Sequence, residues 1–188
     1  NKLGALLSNP IVRKTICDPA QPLRFRRLMD DGTPLIINLS KGRLGADVAE
    51  VLGGLILAMI ANAAMTREDL REQRRRPYFV YVDEFPNYTT NALANMLSEL
   101  RKYRVGLVLA GQYIAGIKPD IAEAIFGNVA NLCIFRVGVT DAPYLARQLG
   151  LQKSQHVIEL PNYHLLTKIM INGEQSRVFS AETVFQLR

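Results

Sequence analysis

Two carboxylates stand side by side at Asp83 and Glu84, closing the apolar run PYFVYVDEF. Placing charge at the end of an apolar strand costs free energy unless the charge is paired or put to use. An Asp there can take a hard cation such as Mg²⁺, which prefers oxygen ligands and keeps several of its waters. A Glu one residue on points elsewhere and can take a proton from an attacking water. Asp83 is therefore the metal candidate and Glu84 the general-base candidate. The pair also reads as the solvated opening of a loop, so the surrounding residues have to decide.

Four apolar residues followed by Asp-Glu form the Walker B pattern, and in open α/β sheets ligands bind at the carboxyl ends of strands. One helix later a second apolar run, VGLVLAGQ, ends in the polar Gln112. In RecA-like nucleoside triphosphatases the neighbouring strand often ends in a polar residue that reads the γ-phosphate; the other reading of Gln112 is a loop glutamine. Between the two runs, LRKYR carries Arg101, Lys102 and Arg104. Cations at a helix C-terminus complement its dipole. The functional alternative is an arginine donated to a neighbouring subunit's nucleotide. No G-x-x-x-x-G-K-[ST] phosphate loop occurs in the 188 residues. In SKGRLG, Lys41 precedes Gly42 and no Ser or Thr follows where one is needed, so this is a turn.

The elements that must position these residues follow from periodicity. PLIINLS (34–40) reads as a β-branched strand. ADVAEVLGGLILAMIANAAM (46–65) is apolar at three- and four-residue steps and on its remaining face, which predicts a helix buried on more than one side. TREDLREQRRR (66–76) is charged and exposed, and ends that helix or links it onward. PYFVYVDEF (77–85) and VGLVLAGQ (105–112) are apolar on both faces, the mark of central parallel strands covered by helices. Helices are expected over 91–103, over IKPDIAEAIFGN with Gly127 as its stop, and over 140–150 with Asp141 as cap and Gly150 at its end. NLCIFRVG (131–138) is a fourth strand. The tail reads as a hairpin turning at Asn172-Gly173. Strands alternating with helices predict an α/β parallel sheet, with residues 1–188 as a single domain.

Composition narrows the class. Hydrophobic residues are 48% and charged residues 21%, ordinary globular values. A net charge of +6 suits a polyanionic partner. The two cysteines, Cys17 and Cys133, form no metal-ligand cluster, and Cys133 is expected to pack as a small hydrophobe. The longest uninterrupted apolar run, Val51 to Ala61, is too short to span a bilayer. A reducing cytosol fits this cysteine usage. The chain reads as a piece of something longer.

Taken in order, PLIINLSKGRLGADVAEVLGGLILAMIANAAMTRED, RRPYFVYVDEFPNY, LSELRKYRVGLVLAGQYI and AIFGNVANLCIFRVGVTDAPYLARQLG resemble the carboxyl half of the motor domain of conjugative-transfer and type IV secretion ATPases of the HerA–FtsK group. The resemblance covers roughly residues 8 to 150. It implies a RecA-like P-loop NTPase core fragment: a mostly parallel sheet flanked by helices, with the C-terminal hairpin. It also implies hexameric rings, ATP with Mg²⁺, DNA or protein moved through a central channel, and secretion-system or membrane partners. The implied location is the cytoplasm or the cytoplasmic face of the inner membrane. Asp83 and Glu84 match the Walker B pair, Gln112 the polar residue ending the next strand, and Arg101 the trans-acting arginine. Arg136, in IFRVG, is a second nucleotide-reaching candidate or a strand residue paired with an acid. With no Walker A in the chain, the isolated piece is expected to be inactive and hydrolysis to belong to the full-length parent. The competing readings are a non-catalytic interaction domain and a protein-exporting motor.

Overall fold

The apolar run before Asp83 forms strand β1 (Tyr78–Val82) and the run before Gln112 forms β2 (Val105–Leu109). They pair in parallel, with Tyr78 opposite Val105 and Val82 opposite Leu109. A computed structural model of the chain describes residues 8, 10, 12–13, 22–89 and 91–184; Cys17 lies outside them. The chain divides into two compact units, Asn1–Ala110 and Gly111–Arg188.

In the first unit, α1 (Phe25–Asp31), the single turn α2 (Lys41–Leu44), the long α3 (Ala46–Met65) and α4 (Asn91–Glu99) accompany the β1–β2 pair. Helix α3 spans 46–65 as its periodicity predicts, and buries Ala49, Leu52, Gly53, Leu57, Ile60, Ala61 and Ala64. With the 3₁₀ turn that continues it, the helical stretch Ala46–Asp69 could cross a membrane by length and composition, although its uninterrupted apolar run alone could not. Its opposite face is not covered, because Leu55 and Met59 are exposed. Helix α4 runs into a 3₁₀ turn over Leu100–Tyr103, completing the helix expected over 91–103.

Three expectations change here. Residues 34–40 form no strand, and Ile36 is 93% exposed. β-branched character favours extended backbone but cannot supply a pairing partner. The β1–β2 pair is not buried on both faces. Val80 and Val82 are buried, whereas Phe79 and Tyr81 on the other face are 59% and 74% exposed and Val108 is 42% exposed. Residues 66–76 form two 3₁₀ turns, Thr66–Asp69 and Glu72–Arg74, and are not uniformly exposed: Arg67 is wholly buried. Its burial pushes its pKa down, and the nearby Asp30 carboxylate opposes that shift.

The second unit is built on a three-stranded antiparallel sheet of β3 (Leu132–Ile134), β4 (His164–Lys168) and β7 (Phe179–Glu182), in the order β3–β4–β7. With it come helices α5 (Pro119–Asn128), α6 (Ala142–Leu149) and the short α7 (Gln155–Ile158). Ile134, Ala142, Leu145, Ala146, Leu149 and Val157 form its core. The strand expected over 131–138 is cut to three residues and pairs antiparallel with β4. Gly127 lies inside α5, which continues to Asn128. Gly150 ends α6 in the left-handed region (φ 78°), as expected. Cys133 does not pack as a hydrophobe: it is exposed, with Sγ 3.2 Å from Thr167 Oγ1. The hairpin forms between β5 (Met170–Ile171) and β6 (Glu174–Gln175), with Asn172 and Gly173 both at positive φ, the primed turn that their types favour.

Candidate active site at the carboxyl end of strand β1

The loop leaving β1 is stitched to the end of β2. The Ala110 N–H donates to the Val82 carbonyl and the Phe85 N–H to the Ala110 carbonyl, both at 3.0 Å. Phe85 is buried beneath, so the two acids between it and Val82 are held at the carboxyl edge of the parallel pair. Asp83 is exposed and Glu84 half-buried. One oxygen of Asp83 (Oδ1) accepts the Glu84 N–H at 3.0 Å.

Glu84 adopts left-handed backbone, φ 50° and ψ 43°. A non-glycine residue there costs roughly 1–2 kcal/mol, and such strain concentrates at functional sites. The loop compensates with hydrogen bonds. The Glu84 carbonyl accepts from both the Asn87 backbone N–H and the Asn87 side-chain amide, each at 3.0 Å. The amide oxygen of Asn87 accepts from Lys41 Nζ at 2.8 Å. Lys41, read from sequence as part of a plain turn, thus supports the acidic loop.

Tyr88 completes the surround. Its ring lies against α3 where Gly53 has no side chain: a Cβ there would overlap the ring, 2.5 Å from Cδ1, and stand 3.1 Å from Leu39 Cδ1. Burial raises the Tyr88 phenol above its ordinary value, and the charges of Asp83 and Glu84 raise it further. It is therefore a neutral hydroxyl at physiological pH.

The donor set suits Mg²⁺ of the kind held by one carboxylate and completed by water and phosphate oxygens. Asp83 is solvent-facing and enters no ion pair among the described residues. No group of three or more His, Cys, Asp or Glu side chains among the described residues could cage a metal by itself.

The remaining sequence candidates are carried by other segments. Arg101 is exposed on the 3₁₀ turn just before β2. Because β1 and β2 run parallel, that turn is at the amino edge of the pair and the acids are at the carboxyl edge. Four rises of about 3.3 Å between Tyr78 and Val82, the ends of the five-residue strand, separate the edges by roughly 13 Å. Arg101 is thus not brought to the Asp83–Glu84 loop of its own chain. Gln112 is exposed at the start of the second unit, two residues past Ala110. In that unit Asp141 is buried and gives no side-chain cap to α6. Its Oδ2 instead accepts the Ile114 N–H at 3.0 Å, anchoring the segment that carries Gln112. Arg136 is exposed just beyond β3. Sequence reasoning missed Asn87, Tyr88 and the supporting role of Lys41. The one local signal was Pro86 in FPNY, which marks a tight turn directly after the acids.

No family model matches the chain, and no curated protein matches it. Among solved structures it is similar to the bacterial conjugative coupling protein TrwB, unbound, with TM-score 0.65 and 13% identity over 96% of this chain and 48% of that one. TrwB in complex with the non-hydrolysable GTP analogue GDPNP matches with TM-score 0.64 and 13% identity, again over 96% and 48%. The genome packaging NTPase B204 from Sulfolobus turreted icosahedral virus 2, in complex with AMPPCP, matches with TM-score 0.52 and 13% identity over 71% of this chain and 63% of that one. The chain therefore spans about half of TrwB and 63% of B204. The likeness establishes the fold, a RecA-like α/β core with a parallel sheet and flanking helices.

Proposed function

We propose that this chain supplies the hydrolytic edge of an ATP-driven motor that moves DNA, assembled as a hexameric ring. The observation that carries the reading is the strained Asp83–Glu84 loop at the carboxyl end of a parallel strand, in a fold shared with a conjugative coupling protein and a packaging NTPase. Asp83 would hold Mg²⁺. When bound there, the ion would supply positive charge against the phosphates. Glu84 takes the proton of the attacking water. Tyr88, Asn87 and Lys41 hold the loop. Gln112 contacts the γ-phosphate, and Arg136 is the second nucleotide-reaching side chain. Arg101, stationed at the opposite edge of the pair, serves the neighbouring subunit's nucleotide. The phosphate-cradling loop comes from a segment outside this sequence. The net charge of +6 supports a nucleic-acid track read through its phosphates.

The test is made in the full-length parent. Glu84→Gln keeps the shape and removes the base, so nucleotide still binds while hydrolysis falls by about 10²–10⁴-fold. Hydrolysis at the normal rate refutes the role of Glu84. DNA binding should lack sequence preference and weaken linearly on a log–log salt plot; a flat plot would instead favour a protein-exporting motor.

A further inference from the structure

The turn that carries Arg101 is held by two arginines from outside it. The 3₁₀ helix Leu100–Tyr103 ends at Arg104, a non-glycine residue in the left-handed region (φ 55°). Carbonyls at a helix end need donors from elsewhere, and here guanidinium groups provide them. The Tyr103 carbonyl accepts from Arg67 Nη1 at 3.0 Å, and the Lys102 carbonyl accepts from Arg75 Nη1.

Both arginines are themselves fixed. Arg67 is wholly buried, donates through Nη2 to the Arg76 carbonyl at 2.7 Å, and has Nε 3.1 Å from Asp30 Oδ1. That last contact lacks the alignment of a hydrogen bond, so it is a Coulombic contact. Arg75 is half-buried. Its Nε is shared between the Arg67 and Leu70 carbonyls at 3.0 Å each, and its guanidinium lies 5.4 Å from the centre of the Tyr103 ring.

Burying an arginine is an expensive way to gain stability, and a well-packed apolar side chain often does as well. What the planar guanidinium adds is direction, several donors in a rigid fork. The fork is aimed at the two residues that follow Arg101. We propose that Arg67 and Arg75 are positioning residues for Arg101: they lock the Leu100–Tyr103 turn so that Arg101 projects from the amino edge of the β1–β2 pair in one fixed place. The proposal rests on the reading of Arg101 as the residue donated to a neighbouring subunit. A transferred charge of that kind depends on placement, since displacement by about 1 Å can cost 10²-fold in rate.

Arg75 gives the cleaner test, because it is not fully buried. In the full-length parent, Arg75→Ala should lower kcat for ATP hydrolysis by about 10–10²-fold while nucleotide affinity stays near wild type. The double variant Arg75→Ala/Arg101→Ala should hydrolyse no more slowly than Arg101→Ala alone, because a residue that acts through Arg101 has nothing left to position. Mixed with Glu84→Gln subunits, which lack the base and keep Arg101, both Arg75→Ala and Arg101→Ala subunits should regain hydrolysis; Arg75→Ala subunits mixed with Arg101→Ala subunits should not, since neither brings a placed arginine. If Arg75→Ala does not fold, the same measurements are made on Arg75→Lys, which keeps the charge and loses the fork. Normal hydrolysis beside an impaired Arg101→Ala, or a further multiplicative loss in the double variant, overturns the positioning role alone. Normal hydrolysis in Arg101→Ala overturns the reading of Arg101 and this proposal with it.

Discussion

Replacing Gly53 by Ala tests whether α3 and the acidic loop are packed as described. Gly53 lies inside the 20-residue helix α3, where alanine is better than glycine by about 1 kcal/mol on propensity alone. From sequence, then, Gly53→Ala is stabilising. The structure reverses the sign. The added methyl would stand 2.5 Å from Tyr88 Cδ1 and 3.1 Å from Leu39 Cδ1. An aromatic ring wedged between helix and loop cannot yield as the tip of a flexible side chain can. Overpacking of this kind costs typically 1–3 kcal/mol, so the net change is a loss of up to about 2 kcal/mol. The control is the same substitution in a Tyr88→Ala background. There the ring is gone, and the propensity gain of about 1 kcal/mol should emerge as a stabilisation. Urea denaturation of the four proteins gives a coupling energy of about 1–3 kcal/mol between positions 53 and 88. In the assembled parent, Gly53→Ala should also lower hydrolysis, because Tyr88 lies four residues past Glu84 in the same loop. Equal effects of Gly53→Ala in the two backgrounds would show that the ring does not sit on the helix, and the description of the loop would fail.

Glu84→Gly removes the steric cost of the left-handed backbone and the base together, so hydrolysis in the parent should fall by about 10²–10⁴-fold, as in Glu84→Gln; hydrolysis near the wild-type rate would refute the role of the carboxylate. Tyr88 should titrate above pH 10. Its proton is bound more tightly in the folded chain than in the unfolded one. Its contribution to stability is therefore complete below the unfolded value of about 10 and is lost as pH rises through the folded one. Asp83→Asn should bring the Tyr88 titration back toward the ordinary value, read by NMR of the tyrosine ring carbons; an unmoved titration would place the carboxylate too far away. Asp141→Ala should cost about 1–3 kcal/mol by leaving the Ile114 N–H without its acceptor, and should speed amide exchange at Ile114; unchanged exchange would refute the anchoring role.

Local chemistry was enough to set much of this chain in order. The three- and four-residue repeat of α3, the Asn172-Gly173 turn, Gly150 at the end of α6 and the apolar runs that become β1 and β2 all follow from side-chain period and backbone preference, which neighbouring residues along the chain decide. The place of Asp83 and Glu84 directly after β1 was legible for the same reason, since a charge pair closing an apolar run stands out without any partner. What sequence could not supply is what each segment meets. Residues 34–40 have strand character and no strand to pair with, while Phe79 and Tyr81 are apolar and remain exposed because burial depends on a covering element. Asp141 looks like a helix cap, yet its carboxylate is taken by the Ile114 N–H from another segment. Arg67 sits in a run of charges that reads as solvated surface, yet it is wholly buried because three groups distant in the chain, the Asp30 carboxylate and the Arg76 and Tyr103 carbonyls, converge on one guanidinium. The parallel register of β1 and β2 set the acids at one edge and Arg101 at the other, a separation that only pairing between distant segments could decide.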